Sequence, residues 1–415
     1  MSGSSSWLLT SSEVGRANRA RVLRLLSTAG PLTRPQLAHR LGVSRATVGA
    51  VIQPLLDSQV LVELDPLASG GSGGKPSRPL WYGQQRLLGA VYLSAEECEV
   101  ALVHMGARIV ARQRGRVPEG DPDVALAMVE ALVKSVVGDV DLTGIGVAFA
   151  GMVDSPTGSL LANYRRPEVG QLPVGPILSS TFGVPVFVDH HPRVQAYGDA
   201  WFGLARSLDT AGSVFTGEVL GLGIIHDGQV REGVRGAGGE AGHMVVDMNG
   251  LMCLCGRRGC WETVATLTWL RAEAQRRGIP NPDRVTSASL VAASATRGAE
   301  PELARQYARN IALGLANLEQ IMGLGTYILH GDVAGGGEVM RSWIAEDLVA
   351  NSPHREPAPS VVLAGEPDES SLLGGAALVL AHLFPAAPPL RKPAARRGTE
   401  HKRRHSVESP EPRRV

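Results

Sequence analysis

Cysteine and aromatic residues are scarce in this chain, and long apolar runs are missing. Four cysteines in 415 residues exclude a disulfide-stapled scaffold. Aromatics at 4% leave the cores to aliphatic side chains, and a hydrophobic content of 44% is enough to build them. No apolar run approaches the roughly 18 residues that a membrane-spanning helix needs. The opening M-S-G-S-S-S has no charged-then-apolar leader pattern. A cytoplasmic protein with no membrane partner is expected. Net charge is also nearly absent, at +1, but the sum hides an uneven distribution. The first 86 residues carry ten Lys and Arg, from Arg16 to Arg86, against Glu13, Asp57, Glu63 and Asp65. The last 30 carry nine against Glu400, Glu408 and Glu411, so the middle is acidic. Basic ends suit a chain with a terminal polyanion-binding module.

Three of the four cysteines fall within one short stretch. Glu240 to Glu262 reads E-A-G-H, then C-L-C-G-R-R-G-C-W-E. His243, Cys253, Cys255 and Cys260 make a Cys₃His set, which fills the four tetrahedral positions of a closed structural zinc site. Gly256 and Gly259 let a tight loop turn its sulfurs inward. The alternative, buried cysteines acting as small hydrophobes, explains neither the clustering nor the glycines. Clustered thiols also fit a reducing compartment.

The N-terminal part reads as a winged helix-turn-helix over residues 13–85, after a Ser-rich, disordered stretch at residues 1–12. Val22, Leu23, Leu25 and Leu26 have helical spacing, and Gly30-Pro31 ends that helix. Thr33 caps a second helix bearing Gln36, Leu37 and Leu41. Gly42 turns the chain, and Ser44 caps a third helix with Val48, Val51, Ile52 and Leu55 on one face. Pro54 predicts a kinked or displaced last turn. Val60 to Tyr82 has the form of a hairpin with a Gly/Ser-rich tip. Ser44, Arg45, Ala46 and Thr47 lie at the exposed start of the third helix and suit base reading. Gln53, later on that helix, and Arg34 and Gln36, which open the second helix, are further candidate DNA contacts. Lys75 and Arg78 in the wing suit phosphate or minor-groove contact. Double-stranded DNA is therefore the expected partner.

Downstream, L-L-G-A-V-Y-L, V-A-L-V-H, G-I-G-V-A-F-A-G (Gly144 to Gly151), P-V-F-V (Pro185 to Val188) and Y-I-L-H-G (Tyr327 to Gly331) read as buried strands. Ser287 to Met322 reads as one helical stretch and Leu372 to Leu383 as a closing helix. No internal repeat is visible. Residues 386–415 have no apolar period and read as a disordered basic tail, which could add nonspecific DNA affinity.

The E-x-G-H and C-x-C-G-x-x-G-C-x-E patterns resemble the zinc signature of the ROK family (repressors, uncharacterised reading frames and sugar kinases). The stretch L-T-R-P-Q-L-A-H-R-L-G-V-S-R-A-T-V and the wing-end G-K-P-S-R-P-L are similar to the DNA-binding domain of ROK repressors. The resemblance implies an α/β fold: the winged helix-turn-helix, then a two-lobed actin/hexokinase-like domain over residues 86–385. It also implies a homodimer or homotetramer.

The kinase motifs of that family are degraded here. Val91 to Ala95 stand in place of D-x-G-G-T. Gly217 to Gly223 keep two final glycines of a phosphate loop but carry Glu218 and Val219. His330-Gly331-Asp332 replaces G-G-G. By the resemblance His191 stands at the catalytic Asp position, with Asp189 one register short. The expectation is a regulator, a repressor of sugar or secondary-metabolism genes with a catalytically dead sensor domain. The alternative is a divergent, ATP-dependent sugar kinase. The same alignment puts Glu240, His243 and Glu262 at or beside a bound sugar, although both carboxylates could instead buttress the metal loop. With Arg165, His190 and His191 the cleft reads as basic, so among a sugar, a sugar phosphate and a sugar acid as effector the two anionic classes are expected first.

Overall fold

The structure is a computed structural model. It describes residues 11–66, 77–163, 165–166, 172–293, 298–354, 356–365 and 368–385. The disordered tail expected at 386–415 and the wing tip with Lys75 lie outside these residues.

The N-terminal unit contains α1 (Ser11–Ala29), α2 (Arg34–Leu41), α3 (Arg45–Asp57) and a small antiparallel sheet. That sheet is β1 (Leu32–Thr33), β2 (Leu61–Glu63) and β3 (Pro79–Tyr82), in the order β1-β3-β2. Ser11 and Ser12, expected to be disordered, form the first residues of α1. Thr33 caps α2, Gly42 takes the left-handed conformation at φ 66° that the turn requires, and Ser44 caps α3 through Thr47 N–H. Pro54 neither ends nor displaces α3, which continues to Asp57. Ala50, whose carbonyl loses its partner, lies on the exposed face, where water can replace the missing N–H.

Two lobes follow. The first has the sheet β6-β5-β4-β7-β10, built from β4 (Leu87–Leu93), β5 (Glu97–His104), β6 (Arg108–Arg116), β7 (Leu142–Phe149) and β10 (Val186–His190). A ribbon of β8 (Met152–Asp154) and β9 (Ser159–Ala162) lies beside it, with α4 (Pro122–Val137) and α5 (Val174–Phe182). The second lobe has the sheet β13-β12-β11-β14-β15, from β11 (Thr210–Thr216), β12 (Leu220–His226), β13 (Gln229–Val230), β14 (Thr326–Gly331) and β15 (Ser360–Leu363). Both sheets run antiparallel through their first three strands and then add two parallel ones. The duplication unseen in the sequence is thus a repeat of topology.

Helices α7 (Leu267–Arg276), α8 (Ser287–Ala292), α9 (Ala299–Met322), α10 (Asp332–Gly335) and α11 (Gly337–Ala350) complete the second lobe. The single helical stretch expected from Ser287 to Met322 is two helices, and Gly298, with extended backbone, precedes the second.

Two helices join the lobes. Every residue of α6 (His191–Trp201) is buried, and α12 (Ser370–Leu383) returns from the second lobe to pack across it. Glycines make the close crossing possible. A Cβ on Gly374 would lie 2.1 Å from the Val194 carbonyl oxygen, and one on Gly198 2.4 Å from that of Ser370. A fully buried helix must pair its polar side chains internally. Arg193 does so with Asp189, Asp199 with His330 and Ser213, and His191 with Ser371. The far end of α6 meets the N-terminal unit. Arg24 of α1 lies over the Trp201 ring at 5.3 Å, and Ser27 Oγ donates to the Trp201 carbonyl. One apolar core runs from Leu26 and Tyr82 through Trp201 to Ala196 and Leu378.

Candidate metal centre, interlobe cleft and DNA-facing helix

The loop between β13 and α7 brings His243, Cys253, Cys255 and Cys260 together, their ligand atoms all within 4.8 Å of one another. Cys255 Sγ lies 3.7 Å from Cys260 Sγ, and Cys253 Sγ 3.5 Å from His243 Nδ1. A tetrahedron with metal–sulfur bonds of about 2.3 Å has edges of about 3.8 Å. The four residues therefore fit a metal ion, and an S₃N donor set suits zinc. Gly256 (φ 85°) and Gly259 (φ 68°) both take left-handed backbone here, as the inward turn of the sulfurs requires. Glu262 Oε1 stands 2.8 Å from Cys253 Sγ and 3.4 Å from His243 Nδ1. Glu262 thus adjoins the cluster and also lines the cleft.

The cleft between the lobes is a cavity of about 1100 Å³. His190, His191, Glu240, His243, Glu262 and Arg165 all line it, as the sequence led one to expect. His190 Nδ1 is 3.5 Å from Glu240 Oε1. Burial, and then the charge of Arg193, hold the His190 imidazole well below its ordinary pKa. His191 is boxed edge-on between Tyr92 and Phe215, with Nε2 2.7 Å from Ser371 Oγ, and burial lowers its pKa to about 4. Both rings are therefore neutral at pH 7. The Nδ1 atoms of both are buried without a hydrogen-bond partner. Burial raises the Glu240 carboxyl above its usual range.

The expectation of a basic cleft is not met. Arg165 is already shared between Glu218 (3.6 Å) and Glu96 (3.8 Å). Arg166 donates to the carbonyls of Ala95 and Pro118. Five glutamates line the cavity (96, 97, 218, 240 and 262) against two arginines (116 and 165), so the wall is acidic among the described residues. The reason is pairing: the sequence shows which cations are near, and the fold uses them on its own carboxylates. The neighbouring Asn163 is spent similarly, its Oδ1 accepting from the backbone N–H of Arg165 and Arg166.

The stretches standing for phosphate loops are also satisfied internally. Ser94 Oγ accepts from the N–H groups of Glu96 and Glu97. Glu218 is held by Arg271 and Thr268. The retained Gly221 and Gly223 serve packing: a Cβ would lie 2.2 Å from Pro192 Cγ and 2.4 Å from Ala196 Cβ. Asp332 accepts from Ser287 N–H and Oγ. Asp189, the register alternative for a base, is not among the residues that line the cavity and is held by Arg193, Ser155 and the His190 N–H.

On the N-terminal unit, Ser44, Arg45, Ala46, Thr47, Gln53 and Arg78 are exposed. Gln53 Nε2 bonds Asp57 at 2.8 Å, along its own helix. Two expected DNA contacts are otherwise occupied. Gln36 completes a capping box with Thr33, and Arg34 is paired with Glu63 of β2. The T-R-P-Q spacing carried the first signal, since a Thr followed three residues later by Gln is a capping-box pattern. The second depends on a contact 29 residues away. The sequence reading also missed the cleft's apolar wall of Leu251, Met252, Leu254 and Trp269.

Comparison with known proteins agrees with this architecture. The xylose repressor of Bacillus subtilis is 25% identical over 261 residues, covering 61% of this chain and 66% of the repressor, just under two thirds of its length. The crystal structure of a ROK family transcriptional regulator, a homolog of the E. coli Mlc protein, superposes with a TM-score of 0.74 at 22% identity, covering 90% of this chain and 97% of that one. A ROK family glucokinase from Streptomyces griseus, in complex with glucose and AMPPNP, superposes at 0.62 with 24% identity, covering 70% of this chain and 98% of the kinase. At those identities both likenesses speak to the fold. A ROK family model matches residues 88–382, well over half of the chain, and the chain belongs to the ROK family.

Proposed function

We propose that this chain is a DNA-binding transcriptional repressor. Its ROK domain senses a small hydroxylated ligand and carries out no phosphotransfer. The observation that carries the reading is α6. Its first residue, His191, lines the cleft, and its last, Trp201, is the seat of α1 in the N-terminal unit. Eleven residues at about 1.5 Å each make a rigid strut of roughly 16 Å. A ligand that favours one lobe arrangement can therefore bias the reader through a single buried element. The names of the xylose repressor and of the similar N-acetylglucosamine repressor support a sugar as effector. The acidic wall and neutral histidines favour a neutral polyol over the sugar phosphate or sugar acid expected from sequence.

In this reading the Cys₃His cluster holds structural zinc, Arg45 and Thr47 reach base edges, and Arg78 and Lys75 meet phosphate. Two copies, as a homodimer or as a pair within a homotetramer, present two half-sites. The stretches around Ser94, Glu218 and Asp332 argue against a nucleotide cradle, because the Ser94 hydroxyl is spent on the Glu97 carbonyl and the two carboxylates bring negative charge rather than donors to a phosphate.

The test is fluorescence anisotropy on DNA from upstream of the chain's own coding region, with and without a panel of neutral sugars. Specific binding that one sugar releases or strengthens supports the proposal. Phosphotransfer from ATP to a hexose, without specific DNA binding, would return the kinase reading. Within that assay Arg45→Ala is expected to lose about 1–3 kcal/mol on the specific site and little on random DNA. Equal loss on both would demote Arg45 to a phosphate contact.

A further inference from the structure

We infer that the cleft ligand is amphiphilic: a neutral sugar or polyol that carries an apolar substituent, such as an aryl or alkyl glycoside. This inference rests on the sensor reading above and specifies its ligand class. The cavity, at about 1100 Å³, exceeds the usual range of about 300–1000 Å³ for small-molecule sites. Its polar lining includes His190, His191, Glu240 and Glu262, which offer neutral imidazoles and carboxyls, and two buried imidazole Nδ1 atoms have no hydrogen-bond partner. A sugar ring can satisfy that cluster and leave most of the volume unfilled.

Part of the lining is apolar and exposed. Leu251 (60% exposed), Met252 (56%) and Leu254 (69%) line the cavity together with Trp269. Their exposure follows from the metal loop. Cys253 and Cys255 are held in the ligand cluster, and Leu254 between them is left exposed. The short bridge between Met252 and Arg258, with the Gly259 N–H donating to the Leu251 carbonyl, fixes the loop. Trp269 is braced from behind by Tyr307, with stacked rings at 6.1 Å. A braced apolar patch and a polar cluster lining one cavity suit a ligand with one wet and one dry part.

The test is isothermal titration calorimetry on the full chain with matched pairs: hexoses and pentoses against their phenyl and octyl glycosides. The expected result is that at least one glycoside binds about tenfold or more tightly than its parent sugar. In Leu251→Ser and Leu254→Ser that advantage falls toward one, while the parent sugar's affinity and the metal content stay unchanged. If a parent sugar binds and none of its glycosides binds more tightly, the inference is overturned and the sugar-sensor reading stands. If neither member of any pair binds, both fail. If the serine variants abolish self-association but leave the glycoside preference intact, the apolar wall belongs to an interface between copies, and the inference is again overturned.

Discussion

Cys260→Ser is expected to strip the bound metal and lower the thermal midpoint by on the order of 10 °C. Cys260 is fully buried, its sulfur 3.7 Å from that of Cys255, and the loop residues around it are joined by only short backbone bridges. Three remaining ligands cannot close a tetrahedron. Metal held by four such ligands contributes its binding free energy to the order of the loop, up to about 10–16 kcal/mol in isolated zinc peptides. The cost here is smaller, on the order of 3–5 kcal/mol, because both lobes keep their own cores. Cys98 provides the control, since it is buried in β5 of the first lobe among Val91, Val100 and Val147, and Cys98→Ser should keep one metal per chain. Metal content and thermal unfolding on both variants decide the matter. A Cys260→Ser protein that retains one equivalent of metal and its midpoint would refute the assignment. The same variant should also lose ligand binding, because Glu262, which adjoins Cys253, is placed by this loop.

The metal cluster could be read from sequence because its chemistry is local: four ligand types and two left-handed glycines within two dozen residues. The helix caps at Thr33 and Ser44, and the turn at Gly42, were legible for the same reason. What stayed hidden depends on distant partners. Nothing near Arg34 announces Glu63, and nothing near Arg165 announces that Glu218 will take it. A buried cation and a free one look alike in a sequence, so the cleft's charge was inferred with the wrong sign. The repeated sheet order was hidden because topology is carried by backbone connections rather than by matching residues. Gly221 and Gly223 look like remnants of a phosphate loop, yet their neighbours show them to be the close contact that lets α6 reach the second sheet. The same crossing that fixes the lobes also carries α6 to the N-terminal unit, so the packing is inseparable from the proposed signalling route.

His330→Gln is expected to destabilise the protein by on the order of 3 kcal/mol at pH 6.5 and by much less at pH 9.5. His330, fully buried on β14, lies between two carboxylates. Its Nε2 is 2.9 Å from Asp199 of α6, and its Nδ1 2.9 Å from Asp368, which precedes α12. Ser213 of β11 bonds the same Asp199 oxygen, Gln195 of α6 reaches Asp368 at 3.5 Å, and the neutral His191 ring lies near. Burial alone would lower the His330 pKa, but the two carboxylates outweigh it and raise the pKa to about 9. The same contact holds Asp368 down at about 2. A histidine raised from 6.5 to about 9 contributes stability in full below pH 6.5, at about 1.4 kcal/mol per unit, and loses it as pH rises through 9. Glutamine cannot carry the charge, so at low pH the variant leaves the buried Asp199 carboxylate and the more exposed Asp368 without their cation. Above pH 9 the wild type is neutral there as well, and the two proteins converge. Urea unfolding of both across pH 6–9.5 measures the gap. A gap that stays constant with pH would mean that His330 is neutral in the native state and that the triad is held by hydrogen bonds alone. A shrinking gap would make the charged triad the clamp that ties β14, α6 and α12 together beneath the cleft, where a ligand's preference between lobe arrangements has to be resisted or transmitted.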